Sequence, residues 1–126
     1  MSRMSKSEVV ILPKGKYFIG DPCYAIRDNW DEFCDKSFEK ETMTEYKNTP
    51  MFCHSTAYGD GCYRGSDKKS YGVDAGIIGV VPMSLVTETD KNKLKRLGTV
   101  KTFKEDFKCF YNKGMFFIGQ IIINTN

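Results

Sequence analysis

The sequence predicts an α+β fold dominated by antiparallel β-structure. About seven strands are expected, curled into a partly open barrel or sandwich, with one clear helix and one or two short ones. Three observations carry this expectation. Short runs of β-branched and aromatic residues recur along the 126 residues, each closed by Gly, Pro, Asn or Asp. One stretch, residues 28–40 (DNWDEFCDKSFEK), has helical rather than alternating apolar spacing. Near the C-terminus two apolar runs flank Asn-Lys-Gly, a hairpin signal.

Residues 1–7 are polar and patternless and are expected as a mobile tail; residues 8–126 are expected as one β-rich domain. The first strand is residues 8–12 (EVVIL), turned by PKGK into a second, residues 17–20 (YFIG). Pro22 ends that strand, because proline has no N–H for a ladder. In the helix, Trp30, Phe33, Cys34 and Phe38 form the i, i+3, i+4, i+8 stripe. Asn29 is the expected cap, with Glu32 as its capping-box partner. Residues 41–50 read as a polar connection. Residues 51–57 read as a strand, 58–61 as a turn, 62–65 as a short extension and 66–69 as a second turn. Residues 71–81 (YGVDAGIIGVV) read as one long strand. Its three glycines imply bulges, bends or a close backbone neighbour. Pro82 suits the first position of a short helix, and Gly98 suits the C-cap of a second. Residues 102–111 and 115–123 make the closing hairpin. On the first of these, Phe103, Phe107, Cys109 and Tyr111 share one face, while Lys104 and Lys108 point outward.

Net charge is only +3, yet residues 90–126 hold eight Lys/Arg against three Asp/Glu. The excess lies in residues 90–108. It is either a solvated basic helix and strand or a face for phosphate or an acidic partner. Nucleic acid is not the expected partner, because the interleaved aromatics there fit a core-facing stripe better than a stacking platform. The five cysteines are odd in number and include no C-x-x-C, which points to a reduced, cytoplasmic compartment. No run resembles a signal peptide or approaches membrane-spanning length, so no membrane association is expected.

One pentapeptide occurs almost twice: GDPCY at residues 20–24 and GDGCY at 59–63. Gly-Asp followed by Pro or Gly is turn chemistry, with Asp21 and Asp60 as acceptors for backbone N–H groups just ahead. Two readings follow. The strings are equivalent corners of a β-structure, or both corners line one mouth. That mouth would present Asp21, Cys23, Tyr24, Tyr58, Asp60, Cys62 and Tyr63 to a ligand, with His54 nearby. Asp74 belongs to the same candidate set. In an apolar strand its carboxylate would need a partner, either within the fold or in the mouth.

Catalytic chemistry has several candidates and no demanding spacing. Cys53 and His54 are neighbours on a strand and should face opposite sides. Cys23 or Cys62 could meet His54 from another strand. Cys23, His54 and Cys62 match no zinc spacing. Asp21, Asp60 and Asp74 could surround a cation or serve as acid and base. Walker, dinucleotide and H-E-x-x-H motifs are lacking. No metal or cofactor is expected.

The residues Asp21-Pro22, then Gly59-Asp60-Gly61 with Tyr63, then Val73-Asp74-Ala75-Gly76 resemble a pattern in uncharacterised small domains of bacterial, phage and large-virus genomes. The resemblance spans about the first two thirds of the chain. It implies a compact β-rich domain and, by its setting, a host-interaction or counter-defence role. The expected function is therefore a small intracellular binding or interaction module, holding a small polar molecule or a protein at the GDPCY/GDGCY mouth. The alternative is a small hydrolase using Asp21, Asp60, Asp74 and His54.

Overall fold

The computed structural model describes residues 9–26, 30–39 and 42–126, without the side chains of residues 36–39 and 43. The expected tail over residues 1–7, the Asn29 cap and the packing of Phe38 lie outside the described residues.

Eleven strands and two helices occupy the described chain. In order they are β1 (Val10–Leu12), β2 (Gly15–Gly20), α1 (Trp30–Glu39), β3 (Thr42–Tyr46), β4 (Thr49–Ser55), β5 (Gly61–Arg64), β6 (Ser70–Val73) and β7 (Ile77–Pro82), then α2 (Lys91–Leu97), β8 (Thr99–Phe103), β9 (Phe107–Asn112), β10 (Met115–Ile118) and β11 (Ile121–Asn124). Single 3-10 turns lie at Pro22–Tyr24 and Met83–Leu85.

The excess over seven strands has a simple origin. Three apolar runs that read as single strands are each broken by a turn: those at residues 74–76 and 104–106 pass the chain from one sheet to another, and that at 119–120 makes the β10–β11 hairpin. The polar connection also contains β3, joined to β4 by Lys47 and Asn48 at φ 52° and 60°. Positive φ at both central residues is the reverse turn that matches strand twist. Lys113 and Gly114, at φ 50° and 87°, make the same turn between β9 and β10.

All strand pairings are antiparallel. The five-stranded sheet has the order β3-β4-β7-β2-β8, and the four-stranded sheet β1-β9-β10-β11. The β5-β6 hairpin continues the latter through a bridge from Gly65 to Ile123. Both sheets are open, so the expected barrel-or-sandwich resolves to a sandwich.

The five-stranded sheet is the middle layer, and strand parity sends side chains to two cores. Tyr17, Ile19, Phe52, Ile78 and Val80 face the four-stranded sheet and the hairpin, meeting Phe107, Phe116, Ile118, Ile123 and Tyr71. Their neighbours on the other face, Met51, Cys53, Ile77, Val81 and Phe18, meet Phe33 of α1 and Leu94 of α2. Each fully buried Phe, Ile or Leu among them contributes roughly 1.5–3 kcal/mol.

The α1 stripe behaves as its spacing predicts. Phe33 is fully buried, edge-on to Tyr46 at 5.1 Å, while Trp30 stacks on Phe33 at 5.3 Å and stays half-buried. Asp31 and Asp35 are exposed. α2 is capped by Asp90, whose carboxylate accepts from the Asn92 and Lys93 N–H groups, and it ends at Gly98 as expected. Any Cβ on Gly98 would collide with the Ile19 carbonyl. The absence of a side chain there lets α2 hand the chain directly into β8.

Candidate binding corner

β2 and β4 end, and β7 begins, at one end of the middle sheet: Gly20 pairs with Gly79, and Ser55 with Ile77. The segments leaving or entering there therefore converge. They are the 3-10 turn behind Asp21, residues 56–60, and residues 74–76.

Asp21 holds the first and third together. One carboxylate oxygen accepts the Cys23 N–H at 2.9 Å, the local turn that the Gly-Asp-Pro order predicts. The other accepts two N–H groups from 53 and 54 residues away, Asp74 at 2.8 Å and Ala75 at 2.7 Å. The Asp21 side chain is completely buried. Burial raises its pKa and outweighs the opposing pull of these hydrogen bonds. Pro22 closes the corner from the helix side, lying over Gly79 of β7. A Cβ on Gly79 would come within 2.9 Å of the Pro22 ring and 2.7 Å of the Cys53 sulfur, so the central strand has room only for glycine.

The middle segment is fixed with equal care. The Thr56 N–H donates to the Gly76 carbonyl at 3.0 Å, and the Ala57 N–H to Thr125 Oγ1 at 3.1 Å. Gly59 offers one carbonyl to two hydroxyls, Thr56 at 2.6 Å and Tyr63 at 2.9 Å. Gly76, at φ +81°, adopts the left-handed conformation that favours glycine and lies in ordinary van der Waals reach of Gly59. On this braced loop Tyr58 stands 74% exposed. Asp60, Asp74 and Ala75 are exposed in the turns here, and Cys62 is exposed at the start of β5.

The structure thus brings the two pentapeptides and residues 74–76 to one end of the sheet, but as backbone turns rather than as a ring of carboxylates. Asp74 is not in a strand. It is exposed on a turn, and its backbone, not its carboxylate, meets Asp21. Asp60 makes no Asx-turn bond among the described residues, unlike Asp21.

His54 lies apart from the turn surface. It is buried on the sandwich face of β4, stacked on Tyr111 at 3.7 Å and edge-on to Phe116 at 6.1 Å, with Nδ1 2.7 Å from the Ser55 carbonyl. Cys53 packs on the opposite face, as strand parity requires. Tyr24 is half-buried against Phe18, Ala25 and Leu94. Tyr63 packs instead into the sandwich core. Cys62 sits directly opposite Gly72 in the hairpin, on the face where Gly72 leaves space for Tyr24 and Leu97.

Cys23 is half-buried, and burial, followed by the nearby Asp21 and Asp74 charges, raises its thiol pKa strongly. That environment suppresses the thiolate a nucleophile needs. All five cysteines are free. Among the described residues no group of three His, Cys, Asp or Glu side chains is placed to hold a metal ion, and no helix is long and apolar enough to cross a membrane.

The local Asp21 turn and the turn at residues 58–61 were legible in the sequence, whereas the turn at 74–76, read as part of a strand, was not, and neither were Thr56 and Thr125, which brace the Tyr58 loop. Thr125 lies in a featureless Asn-Thr-Asn ending, and nothing in its neighbours marks it. No protein-family model, no curated protein and no solved structure matches the chain.

Proposed function

We propose that this protein is a small non-enzymatic binding module. Its recognition surface is the pair of turns at residues 56–62 and 73–76, with Tyr58 as the anchor and Asp60 and Asp74 at its flanks. The observation that carries this reading is the exposure of Tyr58 on a loop whose backbone is tied down at Thr56, Ala57 and Gly59. A large aromatic left in water on a rigid loop costs little entropy to immobilise on binding. Tyrosine is also among the residue types that dominate interface energetics. An aromatic face next to two carboxylates suits a cationic group, an arginine or lysine of a protein partner or a small polar amine. A host-interaction or counter-defence role would use such a surface in the same way.

Asp21 supports binding over hydrolysis. A catalytic carboxylate needs an oxygen free for substrate, whereas both of its oxygens are engaged by backbone N–H groups. The test is an NMR titration of isotope-labelled protein with Gly-Arg-Gly, using Gly-Glu-Gly as the control. Shifts confined to residues 57–62 and 73–76 are expected with the arginine peptide alone. They should disappear in Tyr58→Ala while the melting temperature stays unchanged. Equal shifts from both peptides, or shifts that survive the substitution, would overturn the reading.

A further inference from the structure

We propose that the outer face of the four-stranded sheet is a self-association surface, which docks a second copy of this chain face to face. One side of β1, β9, β10 and β11 packs into the sandwich core through Leu12, Cys109, Phe116, Ile118 and Ile123. Their neighbours along each strand point the other way. An antiparallel sheet with one face on a core normally writes its outer face in polar residues. This face is apolar instead. Four large apolar side chains are exposed among the described residues, and all but Tyr58 belong here: Ile11 at 62%, Ile122 at 36%, and Val9, one residue before β1, at 58%. Phe110 and Phe117, both half-buried, stack across adjacent strands at 4.6 Å. α1 and α2 both pack on the far side of the five-stranded sheet, so neither covers this face.

The register shows why a second copy fits. Phe110, Phe117 and Ile122 stand directly opposite one another on β9, β10 and β11, in one row across the sheet. Among the described residues, Lys108 is the only charged residue at the outward positions of these four strands. It lies on one side of the row, two residues before Phe110. Asn112 lies on the other side, two residues after Phe110 and opposite Met115. A two-fold axis along the row sets Phe110, Phe117 and Ile122 each on its own copy and exchanges the two sides. Lys108 then faces Asn112 of the second copy, whose amide oxygen can accept from its ammonium, and no lysine meets a lysine. A foreign partner would find one cation and no carboxylate on the face to read by charge.

Strand spacing and rise make the face roughly 15 by 20 Å. Two such faces and their rims come to about 1,000 Å² in total, the small end of specific interfaces. A reversible dimer, populated from micromolar concentration upward, follows from that size. The two sheets would lie about 10 Å apart with their outer side chains interdigitated.

The test is sedimentation equilibrium from micromolar to millimolar protein, with concentration-dependent NMR shifts to locate the contact. A monomer–dimer equilibrium is expected, with shifts at residues 9–11, 108–117 and 122–124. Ile122→Lys and Ile122→Glu each place like charges against one another on the axis and should weaken the dimer at least tenfold. The position is exposed, so the melting temperature of the dilute protein should not change. Mixed in equal amounts, the two variants should associate again, as only a position that meets its own copy allows. Ile11→Lys, at the most exposed site on the face, should weaken the parent dimer in the same direction and serves if either Ile122 variant fails to fold. Four results would overturn the proposal. They are a monomer at millimolar concentration, a dimer that these substitutions leave intact, a mixture of the two Ile122 variants no more associated than either alone, or concentration-dependent shifts at residues 57–62 in place of the sheet.

Discussion

In residues 20–24 the aspartate is buried, accepts three backbone N–H groups and sits beside a proline locked over the central strand. In residues 59–63 the aspartate is exposed and glycine replaces the proline, so the chain runs straight into β5 instead of a 3-10 turn. The cysteines differ likewise, half-buried at 23 and exposed at 62. The tyrosines go to different cores, Tyr24 against α2 and Tyr63 into the sandwich. Four shared letters specify a sharp bend after a glycine and little more. The environment at the strand end decides whether the carboxylate becomes an internal staple or a surface charge. The first corner holds the turn at residues 74–76, and the second faces the solvent.

Asp21→Ala should break that division of labour most severely. Three N–H groups lose their acceptor in a buried site, at a cost of roughly 3 kcal/mol or more in urea unfolding. Asp21→Asn should rescue it only in part, because one amide oxygen cannot serve both the Cys23 side and the Asp74–Ala75 side.

Tyr63→Phe sharpens the comparison at the next level. It removes the hydroxyl that donates to the Gly59 carbonyl and should cost about 1 kcal/mol. Tyr24→Phe, whose hydroxyl makes no hydrogen bond among the described residues, should change stability by less than about 0.5 kcal/mol.

Asp60→Ala should be the mildest of all. An exposed carboxylate with no backbone partner is worth within about 0.5 kcal/mol of nothing to the fold. Its effect belongs in the titration with the arginine peptide. A loss of stability comparable to that of Asp21→Ala would mean the two pentapeptides are equivalent after all.

Much of this was legible in the residues, and the gaps have physical reasons. The burial of Phe33 on α1, the opposed faces of Cys53 and His54 and the shared face of Phe107 and Cys109 follow from periodicity, which survives the loss of tertiary information, whereas Phe103 lies on a separate strand, β8, because the run expected as one strand turns at residues 104–106. The local half of the Asp21 staple follows from Gly-Asp-Pro. The distant half does not, because nothing near Asp21 encodes a partner 53 residues on. The same bond explains the misreading of Asp74. A turn whose N–H groups are satisfied from outside needs few turn formers of its own, so Asp-Ala-Gly hides inside an apolar run. β3 escaped notice because an edge strand that is only partly buried can be written in Thr, Glu and Tyr.

The central claim is that one buried carboxylate joins the turn at Pro22–Tyr24 to the turn at residues 74–76, and amide hydrogen exchange at Asp74 and Ala75 tests it most directly. Both residues are exposed on a short turn, so without Asp21 their N–H groups should exchange as freely as any surface loop. Strong protection in the parent protein is predicted, with Cys23 protected alongside them. All three amides should lose that protection in Asp21→Ala, while Gly79 and Val80 of β7 keep theirs under conditions where the variant is still folded. Fast exchange at Asp74 and Ala75 in the parent, or protection that persists in the variant, would contradict it.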